Sequence, residues 1–308
     1  MAFIRIKRIN GLDYYYLVKS QWDPSKRSST QHIIKYLGNA QNVTIKDIPE
    51  EYRNNPKILS LLAINSKLQQ ERSLHITELK KQIFAYLKKG DVNRIIEIAD
   101  NFSKQSSLCE FYDLILKPVM YEIGTLWESN KLDISTEHVC SNIAMETVHL
   151  INGRGTRGGR HLKKGDKVLI CTPDGEIHGL PCKILESVLL EQGFDVYNLS
   201  PSMPSSSLLN FIHETTPSII FISVSFSENL GSALRLINKI FDHYQIPVLL
   251  GGSAINNLEN DEITEIQKVN NSLVMIKNST LDNVVKITKS LIRSIQPHKT
   301  QSLKAKIA

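Results

Sequence analysis

Five short apolar runs, separated by helix-length segments, fill the C-terminal half of this 308-residue chain. Each run is nearly continuous in Val, Ile and Leu, as expected of strands that are buried on both faces. The runs are residues 167–173, 195–200, 218–225, 247–252 and 272–278. Strands that alternate with helices form a parallel sheet covered by helices on both faces. We therefore predict an α/β domain with a doubly wound, five-stranded parallel sheet over residues 167–297.

Four helices are predicted before this domain. The first has its apolar residues on one face and ends at Gly90, and Asp91 can cap the second. The third spans residues 108–127, and Ser135 can cap the fourth. Consecutive helices of this length pack as a bundle. We assign residues 75–152 to a four-helix bundle, with residues 39–74 as a connector before it.

The N-terminal residues 1–38 alternate between apolar and basic side chains, which is typical of strands. Two turn-like stretches divide them into a small three-stranded β-module, with Arg5, Lys7 and Lys35 on its outer face. Net charge is concentrated here (+5), in residues 152–167 (+5) and in residues 293–308 (+4). Basic charge on terminal segments and on the Gly/Arg linker 153–166 indicates a nucleic acid or other polyanion as partner. The alternative is that these charges only keep exposed segments, including the basic tail 298–308, in solution.

Several classes of protein are excluded by composition. No apolar run reaches the ~18 residues that a membrane helix needs, and the N-terminus has no signal-peptide pattern. The four cysteines form no CxxC pair, which favours buried, reduced thiols in a cytosolic protein. We predict a cytoplasmic protein with no membrane partner.

An acid and a histidine stand in the Pro/Gly-rich loop that follows the first strand of the predicted sheet. The loop is Asp174-Gly-Glu-Ile-His-Gly, and it contains Glu176 and His178. Ligands of doubly wound sheets bind at the carboxyl ends of the strands, where this loop lies. An imidazole can ligate a metal through one ring nitrogen, while a carboxylate accepts a hydrogen bond from the other. The loop is therefore a candidate metal-ligating site, although Glu-x-His also occurs by chance.

The chain from about residue 76 to residue 297 resembles the cobalamin (B12)-binding module, in which a four-helix cap precedes a flavodoxin-like domain. That family has Asp/Glu-x-His-x-x-Gly after its first strand, Ser-x-Leu/Ser/Thr at the end of its third, and Gly-Gly at the end of its fourth. The matching residues here are Glu176-x-His178-x-x-Pro181, Ser223-Val-Ser225 and Gly251-Gly252. The resemblance implies a flavodoxin-like (Rossmann-like) fold and cobalamin as the cofactor.

The same resemblance implies a role for each matching residue. His178 would be the lower axial ligand of cobalt, in place of the cofactor's own benzimidazole, and Glu176 and Gly179 belong to the same loop. The displaced benzimidazole would enter a slot lined by Ser223 and Ser225. Gly251 and Gly252 would let the wall of that slot approach closely. Pro181 replaces the family's glycine but is compatible with a helix start.

The predicted cap resembles that of the adenosylcobalamin photoreceptor regulators. It shares a Trp, a nine-residue spacer and Glu-His, here Trp127, Glu137 and His138. By this resemblance Trp127 would cover the adenosyl group, Glu137 would contact its ribose, and His138 would belong to the same polar helix face. The alternatives are a core tryptophan and an acid that favours a helix start. The histidine that follows the tryptophan in those regulators is Glu128 here, so the ligand of the illuminated state is missing or another group such as His138 takes its place.

Three functions compete. The first is a cobalamin-sensing regulator, forming a homo-oligomer, that binds adenosylcobalamin and responds to light or ligand. The second is a methyl-corrinoid carrier that works with separate methyltransferases and binds methylcobalamin. The third is a nucleic-acid-binding adaptor whose cobalamin domain is vestigial. The regulators have a winged helix-turn-helix, whereas residues 1–38 resemble the N-terminal β-segment of some transposases.

Overall fold

The computed structural model describes residues 2–9, 12–23, 28–156, 165–268 and 270–295. The chain divides into two compact units, Met1–Glu78 and Leu79–Ala308. Residues 10–11 and 24–27 of the two turn-like stretches, most of the Gly/Arg linker and the basic tail 298–308 lie outside the described residues.

The first unit contains an antiparallel sheet of three strands in the order β1-β2-β3. The strands are β1 (Ala2–Ile9), β2 (Leu12–Asp23) and β3 (Ser28–Asn39). One face of this sheet is buried, and Leu17 is fully inaccessible to solvent there. Lys35 pairs with Leu17 and therefore lies on the core side of the sheet. Its amine donates to Asp47 O at 2.8 Å, so its predicted place on the outer face is wrong.

Helix α1 (Pro56–Lys89) begins within the expected connector 39–74, well before residue 75, the predicted start of the bundle. Its first turns pack Ile58, Leu61 and Leu62 on the core face of the sheet. The polar composition of the expected connector concealed this start, because only these few apolar residues are needed to cover a small sheet.

The cap continues with α2 (Val92–Gln105), α3 (Leu108–Phe111), α4 (Lys117–Glu128) and α5 (Ile134–Thr156). Asp91 caps α2 as predicted, accepting from Arg94 N at 3.2 Å. A π-helical turn over Tyr112–Leu116 joins α3 to α4. The cap of α5 is Asp133, which accepts from Thr136 N at 2.9 Å, so the prediction that Ser135 caps this helix is wrong.

Five parallel strands form the second sheet, in the order β5-β4-β6-β7-β8. They are β4 (Lys167–Cys171), β5 (Asp195–Asn198), β6 (Ile219–Ser223), β7 (Val248–Gly251) and β8 (Leu273–Met275). The helices between and after them are α6 (Leu180–Glu191), α7 (Ser205–Thr215), α8 (Leu230–His243), α9 (Ser253–Asn256), α10 (Asn260–Gln267) and α11 (Leu281–Ile295). This strand order is the flavodoxin-like one, with its switch point between β4 and β6. The predicted fold class is confirmed.

Two hydrogen bonds fix the cap against the sheet domain. The buried hydroxyls of Tyr112 and Ser187 lie 2.9 Å apart, and Leu281 N donates to the Asp113 carboxylate at 2.8 Å. All four cysteines are buried and free, and burial raises the pKa of the Cys182 thiol to about 12. None of the described helices combines the length and apolarity that a bilayer span requires.

Candidate functional site

The loop after β4 places Glu176 and His178 at the carboxyl edge of the sheet, as predicted from the strand order. Glu176 is fully buried, whereas the His178 side chain is 39% exposed. Nδ1 of His178 lies 2.6 Å from Oε1 of Glu176. An ionised carboxylate can only accept, so Nδ1 carries the proton and donates. The Nε2 lone pair of His178 is then available to a metal, since Nε2 makes no hydrogen bond to any described residue.

The Glu176 carboxylate is held by donors from two loops. Oε1 also accepts from the backbone N of His178 at 3.1 Å. Oε2 accepts from the backbone N of Ser225 at 2.8 Å, the backbone N of Phe226 at 3.1 Å and Nδ2 of Asn229 at 3.1 Å. The loops after β4 and β6 thus meet on one carboxylate, across the switch point of the sheet.

The pKa of Glu176 is lowered from 4.5 to about 2. Burial by itself raises this pKa, but the hydrogen bonds from His178, Phe226 and Asn229 outweigh it because they stabilise the charged form. Glu176 therefore remains a carboxylate throughout the physiological range and fixes the tautomer of His178.

A second network holds the loop from the side of β5. The Ser202 backbone N donates to Thr172 Oγ1 at 2.7 Å and to Glu176 O at 2.9 Å. The Ser202 hydroxyl accepts from Gly175 N at 3.1 Å. Gly175 has φ +88°, a left-handed conformation that favours glycine. The imidazole is therefore presented by a loop with fixed backbone geometry.

The predicted serines and glycines lie at the neighbouring strand ends. Ser223 ends β6 opposite Gly251 in β7. Gly252 has φ +116°, and a Cβ there would lie 2.1 Å from Val224 O. The close approach that Gly252 permits is therefore one between two strand ends of this chain.

A cavity of about 280 Å³ lies between the cap helix α5 and the carboxyl edge of the sheet. Its lining residues come from α5, the start of α6 and the loop after β5: Met145, Gly179, Lys183, Glu186, Asn198, Ser200 and Pro201. A Cβ on Gly179 would lie 3.2 Å from Met145 Cε, so this glycine sits where the loop contacts the cap. Helix α6 begins at Leu180 with Pro181 in its first turn, so the proline fits, as predicted.

The predicted cap residues lie at the end of α4 and the start of α5. Trp127 is 37% exposed. Glu137 accepts from His138 Nδ1 at 2.6 Å and from the Ser141 hydroxyl at 2.6 Å. Glu137 and His138 thus repeat the carboxylate–imidazole pairing of the sheet loop on a helix.

Asn229 and the backbone N of Phe226 were missed by the sequence analysis. The Phe226 ring also contacts His178 edge-on, with 4.4 Å between the ring centroids. Both residues follow β6 at the predicted carboxyl edge, and that position was the only available sign of their role.

Two family models match the chain, and both are described as a B12 binding domain. One covers residues 79–151 and the other residues 166–267. The first coincides with the cap and the second with most of the flavodoxin-like sheet.

This chain belongs to the B12-binding family.

Its relatives include a corrinoid protein and a transcriptional repressor. Over 205 residues it is 20% identical to dimethylamine corrinoid protein 2 of Methanosarcina acetivorans, covering 66% of this chain and 89% of that protein. Over 189 residues it is 23% identical to the HTH-type transcriptional repressor CarH of Myxococcus xanthus, covering 60% of this chain and 61% of that protein. The solved monomethylamine corrinoid protein of Methanosarcina barkeri superposes with a TM-score of 0.55 at 10% identity, covering 69% of this chain and 97% of that one.

The donor set of this B12-binding protein fits a cobalt ion that is held by a corrin. Among the side chains that the structure describes, no group of three or more His, Cys, Asp and Glu could hold a metal ion. The corrin would supply the other nitrogen ligands of cobalt, so a single exposed imidazole from the protein is sufficient. His178 would be that protein ligand, with Glu176 increasing its basicity.

Proposed function

We propose that this cobalamin-binding protein is a sensor that holds adenosylcobalamin with His178 as the lower axial ligand. The observation that carries the proposal is the buried Glu176 carboxylate, which leaves Nε2 of His178 as a free ligand at the sheet edge. The cap supports the adenosyl form, because Trp127 is a large exposed aromatic at a helix end and can cover an apolar upper ligand. The similarity to a CarH repressor supports a regulatory role.

The volume of the cavity, about 280 Å³, is slightly smaller than the ~300–1,000 Å³ of pockets that enclose small ligands. A corrin is larger than such ligands. The proposal therefore includes a separation of α5 from the sheet edge on binding, which starts at the contact between Met145 and Gly179. Such a movement gives the sensor a way to report the cofactor, because it changes the surface of the cap.

Light sensing is a separate part of the proposal. Glu128 stands where the regulators have the histidine that ligates cobalt after illumination, so a second group must replace the lost adenosyl. His138 is our candidate, because its side chain is 67% exposed and Glu137 binds its Nδ1. It would then offer Nε2, as His178 does.

The test is an absorption spectrum of the full chain with adenosylcobalamin, recorded in the dark and after green light, together with the elution volume. We expect a histidine-ligated spectrum, and a change in elution after light or ligand exchange. Trp127→Ala should weaken the binding of adenosylcobalamin more than the binding of methylcobalamin. Tyr121 is another exposed aromatic residue of α4, and Tyr121→Ala should affect the binding of neither cofactor. Equal effects of Trp127→Ala on both cofactors would contradict the assignment of the upper face.

A methyl-corrinoid carrier is the second candidate. The similarity to dimethylamine corrinoid protein 2 favours it, since the match covers 89% of that protein. This function predicts tighter binding of methylcobalamin, no change in elution on illumination, and methyl transfer to or from a separate methyltransferase. Either of the first two results would count against the sensor.

A further inference from the structure

The outer face of the N-terminal sheet contains a cluster of three tyrosines, Tyr14, Tyr16 and Tyr36. The ring centroids of Tyr14 and Tyr36 are 6.4 Å apart and nearly parallel, at 25°. Those of Tyr16 and Tyr36 are 5.0 Å apart at 47°. Tyr36 is 53% exposed. Tyr15, between the two β2 tyrosines, is buried on the core face instead.

Two cations lie beside these rings on the edge strand β1. Arg5 pairs in register with Tyr16, and Lys7 pairs with Tyr14. Directly opposite residues share a face of the sheet, so both cations border the tyrosine cluster. Both are exposed, and among the described residues Arg5 makes one long hydrogen bond, 3.5 Å, to Gln31. Arg8, by contrast, is engaged with Asp13 at 2.8 Å and is not part of this surface.

We propose that this face of the sheet binds single-stranded nucleic acid, with unpaired bases stacked on Tyr14, Tyr16 and Tyr36 and phosphates beside Arg5 and Lys7. Aromatic platforms flanked by cations are the arrangement that single strands require, because every base has a face that can stack. In a duplex those faces are hidden within the base stack, so a tyrosine cluster offers a duplex little beyond charge. The proposal goes beyond cobalamin binding and does not depend on it.

The tyrosine rings and the cations contribute in separable ways. Removing one ring should weaken binding by about tenfold at any salt concentration. Removing one cation should weaken binding mainly at low salt, and lower the slope of log affinity against log salt by about 0.7.

The experiment measures binding of the full chain, free of cobalamin, to labelled oligothymidine and oligouridine by fluorescence anisotropy. Each oligonucleotide has about 12 nucleotides, which is within the usual range of site sizes. A duplex of the same length is the comparison. Tyr36→Ala should bind about tenfold more weakly, while Tyr36→Phe keeps the ring and should bind as the parent does. Lys7→Gln should lower the salt slope.

Two matched controls distinguish this surface from general charge or aromatic content. Tyr121→Ala removes a tyrosine of similar exposure, 55%, from helix α4, and Lys57→Gln removes an exposed lysine from α1. Neither should change binding, and circular dichroism should show every variant folded. A duplex bound as tightly as the single strand, or Tyr36→Ala bound like the parent, overturns the proposal. So does self-association through this face, seen as a dimer that Tyr36→Ala abolishes while no oligonucleotide binds.

Discussion

Replacing Glu176 by glutamine tests how the histidine is held. The two carboxylate oxygens accept five hydrogen bonds, two at Oε1 from His178 and three at Oε2 from the loop after β6. A glutamine amide must turn its NH2 group toward one of these sets. The His178 set is the smaller, and its ring can adapt by changing tautomer, but the backbone N of His178 then has no acceptor.

The magnitude follows from these bonds. An unsatisfied backbone donor costs about 1–3 kcal/mol, and each of the three remaining bonds weakens because its acceptor is no longer charged. Part of this loss is offset, since a neutral amide costs less to bury than a carboxylate. We expect Glu176→Gln to lower the free energy of unfolding by about 2–3 kcal/mol.

The tautomer change has a second consequence. In Glu176→Gln the amide donates to Nδ1, so the proton moves to Nε2, and that nitrogen can no longer ligate cobalt. Cobalamin affinity should then fall by about 10–100-fold. Urea unfolding and cobalamin titration by absorbance measure the two effects, and Glu228→Gln, an exposed acid of the loop after β6, is the matched control. A variant that keeps both the stability and the cobalamin affinity of the parent would refute the reasoning.

Three further predictions concern the scaffold. Gly252→Ala should lower the free energy of unfolding by about 3 kcal/mol or more, because its Cβ would lie 2.1 Å from Val224 O. Gly175→Ala should lower it by only about 1–2 kcal/mol, because its Cβ would first meet a side chain, at 3.3 Å. Thermal unfolding measures both, and equal losses would contradict the clash at Gly252. The pKa of Asp133 is lowered by hydrogen bonds from the Thr136 hydroxyl and backbone, so its contribution to stability is complete above its unfolded pKa of 3.8 and is lost as pH falls through the lower folded pKa. Asp133→Asn should therefore reduce the decrease in melting temperature as the pH is lowered. An unchanged decrease would count against this cap. Tyr112→Phe should lower the free energy of unfolding in urea by about 1–3 kcal/mol, since it removes the hydrogen bond to the buried Ser187 hydroxyl. An unchanged free energy would mean that another group replaces the tyrosine hydroxyl as the partner of Ser187.

Much of the sheet domain could be predicted from sequence because each of its strands is marked by a pattern of neighbouring residues. The near-continuous apolar runs predict buried strands, and the carboxyl edge predicts where the Glu176–His178 loop lies. The strands themselves are shorter than those runs, since the last residues of each run leave the ladder to form the loops at the carboxyl edge. Ser223 and Gly251, paired in neighbouring strands, show where pairing stops.

The parts that could not be predicted depend on contacts between distant residues. Asn229 reaches Glu176 across 53 positions of sequence, and nothing near either residue encodes that pairing. The early start of α1 depends on Leu61 and Leu62 covering a sheet that precedes them. The side of β3 on which Lys35 lies depends on bulges in its pairing with β2, which shift the alternation of faces.

The central claim is that His178 ligates cobalt, and electron paramagnetic resonance of the bound cob(II)alamin form tests it most directly. The protein is labelled at histidine with the heavy nitrogen isotope, while the cofactor keeps the natural isotope. Axial ligation by His178 predicts that each cobalt line splits into a doublet, which His178→Ala abolishes. Triplet splitting in the labelled protein would assign the axial nitrogen to the cofactor's own benzimidazole and contradict the account.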